Sequence, residues 1–231
     1  MKLGGEEMIH GLGKISVFLL AVVLVAGGCT PSVVYSPSIN LPPEPLRQKS
    51  IQAMGGIVEM PEARPQEAKA STARGAEFTV RIGATDWMTV QGKYWKDLSD
   101  NVRADRFGIS VATILAHPRD LGGFRLGLMP TAVFLGDENE WLGGGGLLPL
   151  CVWFPSWSVI HPYGAVGAGF GIRDDRNNKW GWLTIENYGW TLFFFKHFTV
   201  NAELSAVQAH DRYDKREDKF VVWSLNGGFL F

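Results

Sequence analysis

The residues best equipped for chemistry lie near the end of the chain, where His210 offers a proton-transfer group near neutral pH. Behind it, Asp211 to Lys219 pack four acidic and four basic groups into nine positions. Arg212, Lys215 and Arg216 could donate charge-assisted hydrogen bonds to phosphate oxygens, although mixed charge is also what an ordinary solvated loop carries. Elsewhere the chemistry is sparse. The five histidines are scattered without the spacing of a ligand set, with His161 read as a lumen residue and His197 as a turn residue, and Cys151 stands alone in an apolar stretch. No metal site or cofactor is indicated. The glycines at 143–146, and Gly164, Gly167, Gly169 and Gly171, lack the following helix and the lysine that a phosphate-binding loop needs. They suit a tightly coiled sheet instead, so nucleotide binding is not expected.

The elements that must position His210 follow from the composition. A net charge of −1 gives no basic footprint for nucleic acid, and two cysteines build no disulfide scaffold. Only 19% of residues are charged, whereas 28 are glycine and 12% aromatic, which favours an all-β chain over a helical bundle or charged disorder. From Glu77 onward, alternating segments are separated by turn residues. Eight can be drawn, over 77–91, 104–116, 122–136, 140–154, 157–172, 181–195, 198–210 and 219–231. Each meets the roughly 9–11 residues that a tilted strand needs to cross a bilayer. In the last, Val221, Trp223, Leu225, Phe229 and Phe231 share one face and Ser224 and Asn226 the other. In the seventh, Phe198, Val200, Ala202, Leu204 and Ala206 alternate with Thr199, Asn201, Glu203 and Ser205. Arg81, Arg125, Glu186, Glu203, Asn201 and Asn226 all fall on the polar face, where charges must pair or meet water. The expected fold is an eight-stranded antiparallel up-and-down transmembrane β-barrel over 77–231, too narrow for a wide pore.

The N-terminal part reads as export machinery. Lys14 precedes an apolar run from Ile15 to Ala26, too short for a transmembrane helix, as expected of a secretory signal over 1–28. Glu6 and Glu7 fit a signal poorly, and a start at Met8 in place of Met1 would remove them. Val25-Ala26-Gly27-Gly28-Cys29 resembles the lipobox of bacterial lipoproteins, although Ala26 stands where leucine is usual. The resemblance implies lipidation of Cys29; ordinary cleavage leaving a free cysteine is the alternative. Thr30 after Cys29, in place of aspartate, points to the outer membrane. Pro31, Pro37, Pro42, Pro43, Pro45, Pro61 and Pro65 make 29–76 an expected disordered spacer, with a short strand around 56–60 lacking periodic support.

Within the barrel, long charged connections at 92–103, 173–180 and 211–218 alternate with short ones near Pro118, Pro155 and Lys196, the asymmetry of an outer-membrane barrel, although the connection near Asp137 to Asn139 is short too. An even strand number puts both termini on the periplasmic side. Trp87, Trp141, Trp153, Trp157, Trp180, Trp182 and Trp223 fall mostly toward strand ends, as in an interfacial girdle. The terminal Phe231 resembles the C-terminal aromatic by which bacterial outer-membrane proteins are recognised by their assembly machinery.

The stretch Pro162-Tyr163-Gly164-Ala165-Val166-Gly167-Ala168-Gly169, a strand ending near Phe195, a strand closing on His210, a loop and a last strand to an aromatic terminus resemble the PagL-type lipid A 3-O-deacylases, or acyloxyacyl hydrolases. The resemblance covers roughly 122–231 and rests on strand order and spacing. It implies a lipid-facing His-x-Ser pair with an acidic residue beyond the loop: the serine attacks an ester, histidine takes its proton and the carboxylate orients the imidazole. His210 matches, and Glu217 or Asp218 approximates the acid. The serine position is Arg212, which cannot be a nucleophile, and Ser205 and Ser224 fall on the opposite face by parity. The sequence therefore points to a lipid-interacting or structural outer-membrane protein without hydrolase activity. Its expected partners are outer-membrane lipids, including the phosphates of lipopolysaccharide at Arg212, Lys215 and Arg216. An active deacylase with an unorthodox nucleophile is one alternative, and a soluble lipocalin-like periplasmic barrel holding an apolar ligand is another.

Overall fold

The computed structural model describes residue 46 and residues 48–61, 72–98, 105–114, 123–136, 141–155, 157, 159–173, 179–194, 197–211 and 217–231. Eleven strands follow one another: β1 (Ile51–Pro61), β2 (Thr72–Thr85), β3 (Met88–Asp97), β4 (Asp105–Ile114), β5 (Arg125–Leu128), β6 (Thr131–Gly136), β7 (Trp141–Trp153), β8 (Ile160–Arg173), β9 (Lys179–Phe194), β10 (Phe198–Asp211) and β11 (Glu217–Leu230). Apart from β5 and β6, which do not pair with each other, each strand pairs antiparallel with its sequence neighbours, and β1 pairs with β11, so the sheet closes on itself. Strands β5 and β6 both lie between β4 and β7. They are two pieces of one stave, broken at Met129 and Pro130, where proline cannot donate to a ladder. The wall therefore has ten positions.

The expected eight strands need correction at the N-terminal end only. The segment drawn over 77–91 is two strands, because Asp86 and Trp87 form a turn between β2 and β3 through which the alternation runs unbroken. The connection drawn over 92–103 is strand as far as Asp97. Strand β1 lies inside 29–76, so the barrel begins at Ile51 and not at Glu77. Its prolines mislead: Pro61 is the last residue of β1, where a missing donor costs least. The signal segment and Cys29 lie outside the described residues.

Both termini of the barrel sit at one end, where the Ile51 amide donates to the Phe231 carbonyl at 3.2 Å. Ahead of β1, Lys49 adopts a left-handed φ of 70° and donates to the Gly83 carbonyl. Leu46 is buried beneath that end, its amide 2.9 Å from the Thr89 hydroxyl. The supposed asymmetry of the connections is weaker than the sequence suggests, since 62–71 at the far end and 115–124 at the terminal end are equally long.

The two faces of the wall differ sharply. Phe78, Ile82, Ile109, Leu148, Leu150, Val166, Leu204, Val221 and Leu225 are exposed outward. Arg81, Lys93, Glu77, Glu203, Asn201 and Asn226 are buried inward. Aromatic side chains collar the apolar zone. At the terminal end Phe194, Phe198 and Phe229 lie on neighbouring strands, with ring centroids 6.2 and 5.3 Å apart. At the far end Tyr94, Phe107 and Phe134 form a cross-strand row, and Trp182 projects outward on β9. From Phe198 to His210 is about 40 Å along a strand at ~3.3 Å per residue. A tilt of about 40° reduces that to about 30 Å of barrel height, the thickness of a hydrocarbon core.

Two expectations about faces change, for Glu186 and Trp153, while Arg125 keeps the inward parity expected of it. Glu186 is exposed on the outer wall of β9, in line with Trp182, Tyr188 and Trp190, because even positions face outward there. Arg125 is half-buried, on the inward parity of Gly127 and Met129. Trp153 is fully inside and not in a girdle.

Candidate functional site

Two groupings of polar side chains stand out, one inside the barrel and one on its outer wall near His210. The inner one is built by strand parity: odd positions of β2, β3, β9 and β10, and even positions of β11, project inward. Glu77 accepts from the Trp95 indole Nε1 at 2.7 Å, from the Thr79 hydroxyl at 3.1 Å and from Asn226 Nδ2 at 3.4 Å. Arg81 donates through Nη1 to Gln52 at 2.8 Å and through Nε to Gln91 at 3.1 Å, and Gln52 donates on to Thr199 at 2.8 Å. Across the lumen the Tyr163 hydroxyl donates to Glu203 Oε2 at 2.9 Å and accepts from Asn201 Nδ2 at 2.9 Å. Asn201 also reaches Thr191, and Asn187 donates to Ser205 at 2.7 Å. Lys93 Nζ lies 5.6 Å from the Trp95 ring centroid, within cation–π range.

These bonds staple strands far apart in sequence, Gln52 to Thr199 and Glu77 to Asn226 among them. Charges inside a low-dielectric barrel are stable only when partnered in this way. Room for the Tyr163 ring comes from Gly189, where a Cβ would collide with the ring itself. Beside this network the interior holds two apolar clusters, with Asp97, Arg106, Ser110 and Thr131 also buried. One cluster contains Met129, Leu147, Cys151, Trp153, Leu183, Ile185, Val207 and Val222, and a second contains Val58, Trp95, Val133, Leu135 and Leu142. Cys151 is a fully buried packing residue. Among the described residues no group of metal-ligating side chains converges.

On the outer wall, His210 faces outward at the far end of β10 and stacks on Trp182, with centroids 3.7 Å apart and planes 10° from parallel. Glu217 is its direct cross-strand partner on β11, and Asp218 stands opposite Ala209. Thr184 lies opposite Gln208 on the same outward face. Ser205 and Ser224, at 1% and 3% exposure, are buried on the inner face, as parity requires, and neither shares the face of His210. Arg212, Lys215 and Arg216 lie outside the described residues. His197 is an exposed turn residue whose Nδ1 lies 3.2 Å from the Leu230 carbonyl, and His161 is half-buried against Phe193.

Sequence reasoning picked out His210 and the buried charges Arg81 and Glu203 but missed Gln52, Lys93 and Trp95. The signal for the last two was present, since Gln91, Lys93, Trp95 and Asp97 continue the alternation begun at Thr89.

No protein-family model matches this sequence, and no curated protein matches it. Solved structures with a similar arrangement are bacterial outer-membrane barrels. The N-terminal β-barrel domain of OprF from Pseudomonas aeruginosa aligns at 14% identity and a TM-score of 0.36, over 80% of this chain and 98% of that one. The outer-membrane protease OmpT of Escherichia coli gives 8% identity and a TM-score of 0.42, over 86% and 97%. OprG of Pseudomonas aeruginosa gives 11% and 0.38, over 80% and 97%. Likenesses this loose carry nothing about what the chain does. The class is defined by its own wall: a closed antiparallel barrel, predominantly apolar outside, with Glu186 the charged exception on β9, and charged within.

Proposed function

We propose that the chain is a bacterial outer-membrane β-barrel with a lipid-interacting or structural role in the envelope and no hydrolase activity. The observation that carries this reading is the inversion of faces. Phe78, Leu204, Val221 and Phe229 are about half exposed on the outside, while Arg81, Lys93, Glu77 and Glu203 are sealed inside. In water that outer surface would be a large sticky patch; in hydrocarbon it is the stable arrangement. The aromatic collars at about the right separation, and termini gathered at one end, support the same placement, with the termini on the periplasmic side. A lipid on Cys29 would then tether the segment ahead of β1 to the inner leaflet of the same membrane, and the exposed Phe231 would serve as the assembly signal.

On this reading the outer wall meets membrane lipid, and Arg212, Lys215 and Arg216 contact lipopolysaccharide phosphates from the loop after β10. A soluble lipocalin-like barrel is disfavoured by the same faces, since it needs an apolar interior and a charged exterior. The deacylase reading retains one favourable observation, the register that pairs Glu217 of β11 with His210 of β10. Against it, no serine joins them there among the described residues, and the imidazole is stacked on Trp182.

Two measurements test the proposal. On a gel of membrane fractions run without boiling, the folded protein should migrate apart from the boiled one, and Cys29→Ala should remain in the membrane. Release of the Cys29→Ala protein into the soluble fraction would contradict an integral barrel. Fatty-acid release from lipid A should be equally negligible for wild type and His210→Ala; release that depends on His210 would restore the enzyme.

A further inference from the structure

The register sets the height of each outward side chain, and with it where charge meets the membrane. A row of directly paired residues begun at Gln52 passes Ser110 on β4, Leu147 on β7 and Ala209 on β10. It re-enters β1 beyond Pro61, about twelve residues nearer the far end, so the strands lean by about 40° and every row climbs in chain order. One residue along a strand is then worth about 2.5 Å of height, and one strand across about 3 Å.

On this scale the far rim has two unlike arcs at overlapping heights. Over β6, β8 and β9, the outward Phe134, Phe170 and Trp182 lie about 8–12 Å nearer the far end than Leu204. Over β1 to β4, the outward Glu59, Arg74, Lys96 and Asp105 lie about 6–10 Å nearer that end than Leu204. Arg74 and Lys96 are exposed. Half of an apolar band ~25 Å tall reaches about 12 Å from mid-belt, so these charges stand at the edge of the hydrocarbon, where they need a polar counterpart. At the terminal end the outward positions include Ile51, Ile82, Phe198 and Phe229.

The two cations adjoin each other. Ala76 is the direct partner of Lys96 and stands two residues from Arg74 on β2, so the pair is diagonal across one short side chain. Such diagonal neighbours have Cβ atoms within about 8 Å. Acids flank them on the outer two strands: Glu59 is opposite Arg74, and Asp105, opposite Lys96, accepts the Tyr94 hydroxyl at 2.6 Å. Lower on β3 comes Gly92, where an added Cβ would meet no atom within 4 Å. Its neighbours across the wall are Val80 and Ile109, so the wall dips there within its apolar zone. A double cation above an apolar dip matches a lipid with a phosphate head and an acyl chain. A phosphomonoester, with a charge of about −1.5 to −2, suits two cations better than a singly charged phosphodiester.

We propose that Arg74 and Lys96 hold a phosphomonoester of a far-leaflet saccharolipid, the chemistry of lipid A, with one acyl chain lying over Gly92. This rests on the membrane reading, and it places a lipid site on the wall of β2 and β3, separate from the loop after β10.

The test is lipid retention by the full chain in phosphatidylcholine nanodiscs doped with diphosphoryl lipid A, its dephosphorylated form or phosphatidylglycerol, read as bound copies by native mass spectrometry. Wild type should retain diphosphoryl lipid A roughly tenfold better than either of the others. Arg74→Gln with Lys96→Gln should lower that retention by on the order of tenfold. Gly92→Leu, which fills the dip and keeps both cations, should also lower it. The same losses should appear when Arg212, Lys215 and Arg216 are all changed to Gln, which separates this site from the loop. Equal retention of phosphatidylglycerol would overturn the phosphomonoester assignment. Equal retention by wild type and the Gln pair, with the heat-modifiable form intact, overturns the site alone. Failure of the wild type to insert as a heat-modifiable barrel overturns the membrane reading and the site together. Loss of the heat-modifiable form in the Gln pair would make the two cations residues that hold the wall, and refutes the site as well.

Discussion

At the scale of single residues, the interior network governs how firmly the barrel is held. Tyr163 joins Asn201 and Glu203, and its loss removes a buried hydrogen bond from each. Tyr163→Phe should therefore lower the stability of the folded barrel by about 1–3 kcal/mol, the worth of buried hydrogen bonds of which one is made to a carboxylate. The check is a urea-unfolding series in lipid vesicles. Gly189→Val, which pushes a side chain into the same ring, should cost about as much through overpacking. On the outer face the sign of the expectation reverses. Leu204 lies midway between Phe198 and His210 on β10, so Leu204→Arg places a cation against the hydrocarbon midplane. A loss of about 2–4 kcal/mol is expected there, whereas a neutral effect would mean that water, and not lipid, bathes Leu204.

At the scale of elements, closure depends on β1. It pairs with β2 on one side and β11 on the other, and without it both neighbours become open edges. Deletion of residues 51–61 should abolish the heat-modifiable form, while deletions confined to residues 30–45 should leave it intact. A barrel that survives loss of β1 would mean closure by direct pairing of β2 with β11. The same strand shows where sequence reading fails. Periodicity located β7 to β11 to within a few residues because long apolar outward runs alternate with inward positions that carry Asn187, Asn201, Glu203, Ser205, Ser224 and Asn226 among the apolar core residues. Strand β1 reads Ile51-Gln52-Ala53-Met54-Gly55-Gly56, with an inward Met54 as apolar as its outward neighbours and glycines where the alternation would show. Burial in this barrel follows position in the wall and not hydrophobicity alone. That is also why Glu186, polar and therefore assigned to the inner face, turns outward with the rest of its parity class. The candidate site was legible only in part: parity correctly excluded Ser205 and Ser224 from the face of His210, but the stacking of His210 on Trp182 is a cross-strand relation that appears only once β9 and β10 are in register.

At the scale of the whole molecule, the account reduces to which side of the wall meets lipid. The interior is filled by a charge-balanced polar network and two apolar clusters, and the exterior is an apolar belt between aromatic collars. The most direct measurement is site-directed spin labelling along β10, with Cys29 and Cys151 replaced, labels introduced one at a time from Val200 to Gln208, and relaxation by oxygen compared with relaxation by a water-soluble nickel complex in lipid vesicles. Labels at Val200, Ala202, Leu204 and Ala206 should be relaxed by oxygen and shielded from nickel, with a break at every odd position between them. Nickel access at Leu204 and Ala206 comparable to that of a label on an exposed connection would contradict the account.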